Sequence, residues 1–362
     1  MEFKDIRELT AMVNNRPDSE IYQKSKARWD SIAKPIDGLG DMEDIISRIA
    51  SIQGKVIPDI TRRALVVMCA DNGVVAEGVT QCDKSVTLDV AKLLCKGQSS
   101  VCTLTKGMGV DIIPVDIGID SDDVIRGIRN KKVRKGTGNI VREPAMSADQ
   151  CLKALKSGME IMDICVRNGY DIVVTGEMGI GNTTTSTALL CALTGLSPAE
   201  VTGRGAGLTD EGLEHKIEVI GQALGFHGLN GGSGISDPES AFIALQKVGG
   251  LDIAGLAGLF IAGANHQIPV VIDGLISAVA ALTAECLVPG TADYMIASHT
   301  GRERGTARVL EKLGLKAVID ADMALGEGTG AVMLFPMIDM AMSLYLNGMR
   351  FEDTRIDAYK RF

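Results

Sequence analysis

The sequence of 362 residues is poor in aromatic side chains, which make up 4% of it, and it contains one Trp and four His. Hydrophobic residues still reach 46%, so Ala, Val, Ile, Leu and 16 Met must fill the core, as they do in parallel sheets covered by helices. The net charge of −9 argues against nucleic acid or acidic lipid as a partner, because both select for a basic surface. Any phosphate site must then be local, built from backbone N–H groups and a few Lys or Arg side chains.

Several familiar signatures are also missing. The eight cysteines show neither CxxC nor Cys/His ligand spacing, which argues against a zinc site or a disulfide framework and favours reduced thiols. No Walker A motif and no G-x-S-x-G motif occurs. The amino-terminal segment has no apolar signal core, and the apolar runs 249–264 and 267–282 are interrupted by Asp, Gly or Pro. We therefore expect a cytoplasmic protein that does not enter a membrane.

What the chain does have is a regular alternation of apolar strands and helices. Strands that end in polar or glycine-containing loops are predicted at 63–70, 110–118, 172–175, 269–272 and 294–297. Helical segments fill the intervals, so we predict an α/β fold with a doubly wound parallel sheet and functional groups at the carboxyl ends of its strands.

The two ends of the chain are predicted to be helical. Residues 1–50 have the pattern of polar amphipathic helices broken by a turn at 34–40. Residues 331–362 begin as an apolar helix. We expect this helix to pack with the amino-terminal helices as a small second lobe.

The segment 171–190, DIVVTGEMGIGNTTTSTALL, is typical of a phosphate site. An apolar strand leads into a glycine-rich turn at 176–181, and a helix capped at its start by 182–185 follows. The first N–H groups of such a helix lack internal partners, so a phosphate or carboxylate of a ligand can bind there. Glu177 in this turn would either bind a ribose hydroxyl or cap a neighbouring loop.

Two further loops place polar side chains beside glycines. In 70–81, Asn72 and the preceding acid either contribute to a site or cap a turn. The segment 201–216 resembles a glycine-rich cradle followed by a helix, with Arg204 and Lys216 as candidate phosphate partners.

The loop 325–331, LGEGTGA, is the strongest candidate because a single charge, Glu327, stands among glycines between two apolar segments. A charge there is costly unless a ligand is bound, so Glu327 is our candidate for a base that accepts a proton. A surface turn with an incidental acid is the alternative. His299 is interpreted as a hydrogen-bonded structural group, and the basic stretch within 119–144 either is a solvated excursion or lines the anion site.

An ordered series of motifs over nearly the whole chain resembles the nicotinate-nucleotide:dimethylbenzimidazole phosphoribosyltransferase (CobT) family: KPIDGLGDME, CADNGVVAEGV, GTGNIVREPAMS, GEMGIGNTTTS, GRGAGLTDEGLEHK, KVGGLDIAGLAG, PVVIDGLISAVAAL, ASHTGRERG and LGEGTGAV. The resemblance implies a Rossmann-like domain on a six-stranded parallel sheet for 61–331. It implies a small helical domain formed from both chain ends, 1–60 plus 332–362. It also implies a homodimer, with pairing to a related subunit as the alternative.

The resemblance implies transfer of 5-phosphoribose from nicotinate mononucleotide to a ring nitrogen of an aromatic base such as 5,6-dimethylbenzimidazole. The transfer inverts β to α, releases nicotinate and serves assembly of the cobamide nucleotide loop. Nicotinate leaves from a cationic pyridinium and needs no proton, whereas benzimidazole must lose its N–H proton, so the chemistry requires one base and neither metal nor cofactor. The motif match assigns that base to Glu327.

The resemblance also implies two sets of binding residues. The nucleotide would be held by the two glycine-rich loops and their neighbours: Glu177, Gly179, Gly181, Asn182, Thr183, Gly203, Gly205, Ala206, Lys216, Ser298, Gly326 and Gly328. The acceptor ring would occupy an apolar slot lined by Asn72, Cys82, Val90, Met178 and Leu325.

This slot departs from the family pattern. Some members have His, Ser, Gln and Leu where this chain has Asn72, Cys82, Val90 and Met178, so the slot is less polar. Other benzimidazoles, purines and phenols are therefore alternative acceptors. A non-catalytic paired subunit, and a nucleotide hydrolase that releases nicotinate without an acceptor, are the alternative functions.

Overall fold

The computed structural model describes residues 5–13, 15–232, 234–235 and 237–361. The described residues form a large parallel sheet flanked by helices and a second, two-stranded sheet. The strands are β1 (Arg63–Ala70), β2 (Val110–Gly118), β3 (Arg129–Asn130), β4 (Ile172–Met178), β5 (Val270–Ile272), β6 (Met295–Ala297), β7 (His299–Gly301) and β8 (Ile319–Met323).

The large sheet has the order β3-β2-β1-β4-β5-β6, and every neighbouring pair of strands is parallel. This is a doubly wound order, in which the winding reverses between β1 and β4 and leaves a crevice at their carboxyl ends. The prediction of a doubly wound, six-stranded parallel sheet is confirmed. The short parallel pair β7–β8 was not predicted.

The bounds of the first strands follow from their composition. β1 and β2 have the predicted bounds, and β1 is buried throughout because helices cover both faces of the sheet. β4 continues three residues beyond its prediction, since Gly176 and Glu177 still pair with Val67 and Met68 of β1. The turn after β4 therefore begins at Gly179.

The helices alternate with these strands along the chain. They are α1 (Ile6–Thr10), α2 (Ser19–Asp30), α3 (Asp41–Gln53), α4 (Ser85–Cys95), α5 (Ser100–Leu104), α6 (Ala148–Arg167), α7 (Asn182–Thr194), α8 (Pro198–Val201), α9 (Asp210–His227), α10 (Pro238–Val248), α11 (Leu251–Asn265), α12 (Leu275–Leu287), α13 (Gly305–Lys312), α14 (Thr329–Val332) and α15 (Leu334–Asn347).

The low aromatic content is explained by helices that touch through their backbones. A Cβ atom built on Gly158 of α6 would lie 1.8 Å from the carbonyl oxygen of Gly255 in α11. A Cβ on Gly258 would lie 2.0 Å from Leu155 O. Only glycine permits this approach, and large rings would find no room between α6 and α11.

The two ends of the chain pack together on one face of the sheet. The rings of Trp29 in α2 and Tyr345 in α15 lie 4.7 Å apart, and both belong to one hydrophobic cluster with α3 and with Leu65 and Val67 of β1. The predicted helical lobe thus shares its core with the sheet. The domain bounds 1–60 plus 332–362 and 61–331 stay a prediction.

One helical run among the described residues, Thr329–Asn347, is long and apolar enough to span a bilayer. Its window is 56% buried inside the structure, and the core helix of a globular protein satisfies the same criteria.

Candidate active site

A cavity of about 190 Å³ opens beside the carboxyl end of β4. Its walls are the end of β4, the start of α7, the loop at Gly205, and residues from 273–277, 299–306 and 323–330. A larger groove of about 580 Å³ lies between α2, α3 and β6 and contains none of the predicted site residues. The smaller cavity is therefore the candidate active site.

The turn between β4 and α7 requires glycine. A Cβ atom on Gly179 would lie 2.3 Å from Ala70 O, and Gly181 has a φ of +89°. Helix α7 begins at Asn182 as predicted, but the prediction of a side-chain cap there is wrong, because Gly181 is the N-cap. The Asn182 amide donates instead to the Glu177 carboxyl and, at 3.0 Å, to Asp252 Oδ2.

This pair of carboxyls has an unusual charge state. Burial, and next the Asp252 carboxylate, raise the pKa of Glu177 to about 8. Burial raises the pKa of Asp252 to about 6. Glu177 therefore holds a proton at neutral pH. It also packs against the loop that carries Glu327, since a Cβ atom on Gly326 would lie 3.1 Å from Glu177 Oε1.

Lys216 supplies a buried positive charge beside both glycine-rich loops. Its Nζ donates to Thr183 Oγ1 at 2.8 Å and to Gly203 O at 3.3 Å. Burial lowers its pKa to about 8. Lys216 forms no salt bridge in the part of the chain that the structure describes, although the nearby Glu303 carboxylate partly opposes the lowering of its pKa. An anion that reaches Lys216 would add to this partial compensation.

The other predicted cations are engaged elsewhere. Arg204 pairs with Asp210 and donates to Leu208 O at 2.9 Å. In the basic stretch, Lys132 pairs with Asp116 at 3.2 Å and Lys135 pairs with Asp122 at 2.5 Å. No cation of this stretch lines the candidate active site, which favours the alternative of a solvated excursion.

The loop that carries Glu327 is held in an unfavourable backbone conformation. Gly326, Glu327 and Gly328 have φ angles of +87°, +59° and +86°, which costs about 1–3 kcal/mol at the glutamate. Two contacts stabilise the loop. Its backbone packs directly on Gly176, where a Cβ atom would lie 2.7 Å from Glu327 O. Val101 N–H donates to Glu327 Oε2 at 3.1 Å.

Asp273, directly after β5, anchors the same loop. Its Oδ2 accepts from Gly328 N–H at 3.2 Å and its Oδ1 accepts from Ala331 N–H at 2.9 Å. Burial raises the pKa of Asp273, and the nearby His299 opposes that shift. The loop is therefore tied to the end of β5 as well as to β4.

His299 and Ser298 form one buried group. Ser298 Oγ donates to Ile272 O at 2.6 Å and lies 2.9 Å from His299 Nδ1. This contact agrees with the interpretation of His299 as a hydrogen-bonded group, although its ring also lines the cavity. Ser298 is outside the cavity lining, and its predicted contact with nucleotide stays a prediction.

The predicted acceptor slot is only partly assembled at the cavity. Met178 and Leu325 line it, and Leu325 is 56% exposed. Asn72 lines a separate cavity and is held between Ile180 O and Thr185 Oγ1, each at 3.3 Å. Val90 packs on the same hydrophobic cluster as Met178. Cys82 donates its backbone N–H to Thr80 Oγ1 at 3.2 Å and does not line the cavity.

Most of the predicted nucleotide residues do meet. Glu177, Gly179, Asn182, Thr183, Gly205, Ala206 and Gly326 line one cavity, and Gly181 and Lys216 line the adjoining one. Gly203 and Gly328 contribute backbone contacts behind them.

Sequence reasoning missed three acids at the site. Asp252 is a single acid in the first turn of an otherwise apolar helix, and Asp273 directly follows a predicted strand. Glu303 lies in the loop 297–305, in which Ser298 and His299 were considered but the acid was not. Each position carried a visible signal, because a charge that interrupts apolar sequence is costly without a role.

The fold and this cavity define a doubly wound α/β protein with a candidate site beside the carboxyl ends of β4 and β5. Residues 14–356 match the family model DBI_PRT, described as "Phosphoribosyltransferase", and the chain belongs to this phosphoribosyltransferase family.

Known relatives support this membership. Nicotinate-nucleotide–dimethylbenzimidazole phosphoribosyltransferase of Acetivibrio thermocellus is 43% identical over 94% of this chain and 96% of that protein. The protein of the same name from Clostridium acetobutylicum is 41% identical over 96% of each chain. The crystal structure of CobT from Thermus thermophilus superimposes with a TM-score of 0.86 at 34% identity, over 93% of this chain and 100% of that one.

Proposed function

We propose that this chain transfers 5-phosphoribose from nicotinate mononucleotide to an aromatic base such as 5,6-dimethylbenzimidazole, as the names of its relatives describe. The observation that carries the proposal is a pair of adjoining cavities whose far ends differ chemically. The buried Lys216 lines one of them, and Gly205 lines both. The exposed Leu325 lines the other end of the candidate active site, two residues before Glu327, whose own side chain is buried outside the lining. The product would serve assembly of the cobamide lower ligand.

At the first end we assign the phosphate to Lys216 and to the turn between β4 and α7, because Gly205 N–H of the other glycine-rich loop already donates to Glu303 Oε1 at 2.9 Å. A buried ammonium that forms no salt bridge gains most when a phosphate oxygen approaches it. The start of α7, a helix of 13 residues, lies beside the same region, and its positive end favours an anion although Asn182 N–H and Thr184 N–H already donate to Gly179 O at 3.1 Å and to Gly181 O at 3.0 Å. Glu177 is protonated at neutral pH, so it adds no negative charge near the phosphate.

At the second end we assign Glu327 as the catalytic base. A ring nitrogen of the acceptor attacks C1′ of the ribose from the face opposite nicotinate. The C1′–N bond to nicotinate breaks, and its electron pair neutralises the pyridinium. The acceptor's N–H proton passes to Glu327, whose Oε2 is oriented by Val101 N–H at 3.1 Å. No proton is required by the leaving group.

The proposal is tested by incubating the purified chain with nicotinate mononucleotide and dimethylbenzimidazole, adenine or phenol, and identifying the products by mass. We expect nicotinate and a ribosyl phosphate of the added base in equal amounts. Nicotinate release that is unaffected by any acceptor would instead identify a hydrolase. Absence of any reaction would favour a non-catalytic paired subunit.

We also propose a cytoplasmic homodimer. All eight cysteines are free, as is usual in a reducing compartment. Exposed apolar side chains lie in α15 and directly before and after it. Met333, Met340 and Met349 are 45%, 73% and 65% exposed. Sedimentation at micromolar concentration tests the assembly, and Met340→Glu is expected to shift it towards monomer.

A further inference from the structure

Two polar atoms in the wall of the active-site cavity are buried without a hydrogen-bond partner. They are Oε2 of Glu303 and Oγ1 of Thr306, and both residues line the cavity. The two residues flank the start of α13, where Thr306 N–H donates to Glu303 O at 3.1 Å. Neither residue has a part in the chemistry assigned above.

The position of the Glu303 carboxylate is fixed by the glycine-rich loop. Its Oε1 accepts from Gly205 N–H at 2.9 Å. A Cβ atom on Gly203 would lie 1.7 Å from Oε2, so the carboxylate lies directly against the backbone of this loop. Oε2 therefore remains in the cavity wall as an acceptor without a donor.

The chemistry of these two atoms selects the group that would satisfy them. A phosphate oxygen does not fit, because it is an acceptor like Glu303 Oε2 and the two negative groups repel each other. A neutral hydroxyl does fit, because it donates one hydrogen bond to Glu303 Oε2 and accepts one from the Thr306 hydroxyl. Because both atoms are buried, water does not satisfy them, and a ligand hydroxyl that forms these two hydrogen bonds stabilises the complex.

The sugar is the part of the nucleotide that carries such hydroxyls. The cavity extends from Gly205 at the phosphate end to Leu325 at the acceptor end, and the ribose must lie between them. On the basis of the function proposed above, we propose that Glu303 and Thr306 bind a ribose hydroxyl and make the site selective for ribose over deoxyribose nucleotides.

The test compares donors across variants. Glu303→Gln keeps an oxygen for Gly205 N–H but removes the charged acceptor, and Thr306→Val removes only the hydroxyl. Dissociation constants and kcat/KM are measured for nicotinate mononucleotide and for its 2′-deoxy and 3′-deoxy analogues. Glu311→Gln, an exposed acid of α13, is the matched control.

We expect the wild type to bind nicotinate mononucleotide at least about tenfold more tightly than one of the two deoxy analogues, because that analogue lacks a hydrogen bond to a charged group. In both variants this ratio should fall towards one, with binding of that analogue unchanged. Glu311→Gln should retain the full ratio.

Equal weakening of all three nucleotides in the variants would overturn the assignment, as would a wild type that does not distinguish them. If the wild type binds nucleotides but forms no product, the proposed transfer is wrong. The dissociation constants of the three nucleotides, measured by calorimetry, still test the role of Glu303 and Thr306. If no nucleotide binds at all, both proposals are wrong.

Discussion

Lys216 permits a direct test of the phosphate site, because its charge changes in an accessible pH range while that of the ligand does not. The pKa of Lys216 is lowered from 10.5 to about 8 by burial. The second pKa of a phosphate monoester is about 6, so the ligand remains a dianion above neutral pH. Charged Lys216 falls from about nine tenths of the free protein at pH 7 to about one tenth at pH 9. If phosphate requires the charged form, the dissociation constant of nicotinate mononucleotide should rise about tenfold over this range.

Replacement of the side chain should remove both the affinity and its pH dependence. Truncating one member of a buried charge pair costs about 3 kcal/mol, so Lys216→Met should weaken binding about a hundredfold at pH 7. Glu177 also titrates near pH 8 and could repel phosphate when it ionises. Glu177→Gln is therefore the control, and it should retain the pH dependence that Lys216→Met loses. Isothermal titration calorimetry between pH 7 and pH 9.5 measures all three proteins.

The same substitution should stabilise the ligand-free protein. The depressed pKa corresponds to a cost of about 3 kcal/mol for keeping Lys216 charged in the fold at pH 7. Its two hydrogen bonds return about 1 kcal/mol each, so Lys216→Met should raise the free energy of unfolding by about 1 kcal/mol. Between pH 8 and pH 10.5 unfolding takes up a proton at Lys216, so this contribution to wild-type stability becomes less unfavourable as pH rises. Unchanged nucleotide affinity in Lys216→Met, or a pH dependence that persists in it, would refute the reasoning.

Three further substitutions test the rest of the site, and a fourth, Gly221→Ala, is a control outside it. Glu327→Gln should lower kcat by about 10²–10⁴-fold while calorimetry finds nucleotide affinity unchanged, and a variant as active as the wild type would exclude Glu327 as the base. Gly176→Ala places a Cβ 2.7 Å from Glu327 O and should cost about 1–3 kcal/mol of stability in urea unfolding as well as turnover. Gly221→Ala, in the exposed interior of α9 with no atom within 4 Å, should instead stabilise by about 0.5–1 kcal/mol. Asp252→Asn removes a like charge and should lower the pKa of Glu177 below about 8, read from infrared titration of its carboxyl, and an unchanged titration would assign the whole shift to burial.

The predicted fold was accurate where local pattern and tertiary structure require the same residues. β1 is buried throughout and β2 is buried over its last five residues, so their apolar runs end where the strands end. β3 has two exposed residues and β8 reads IDADM, and neither has an apolar pattern that could reveal a strand. The pairing of β7 with β8 depends on the path of the chain between them, which no local signal specifies.

The site shows the same division between local and distant causes. Glycines at 179, 181, 326 and 328 were visible as unusual backbone positions, and three of the four have positive φ angles. The partners that use those backbones were not visible. Asp273 holds the Glu327 loop from a position more than fifty residues earlier in the chain, and Asp252 competes for the Asn182 amide from seventy residues later. Such contacts arise only when the sheet brings the strand ends together.

The placement of ionisable groups nevertheless follows one physical rule. Lys216, Asp252 and Asp273 are each buried themselves, in a helix or at a strand end, and each has its pKa displaced by that burial. An isolated buried charge of this kind lowers the stability of the fold, and it is retained in a packed core only where a partner or a ligand restores the lost solvation. Asp273 accepts backbone hydrogen bonds and so anchors the loop, whereas Lys216 donates only to neutral oxygens and has the Glu303 carboxylate as a more distant charged neighbour. The residue with the incomplete set of partners is therefore the one at which the ligand should make its largest contribution to binding.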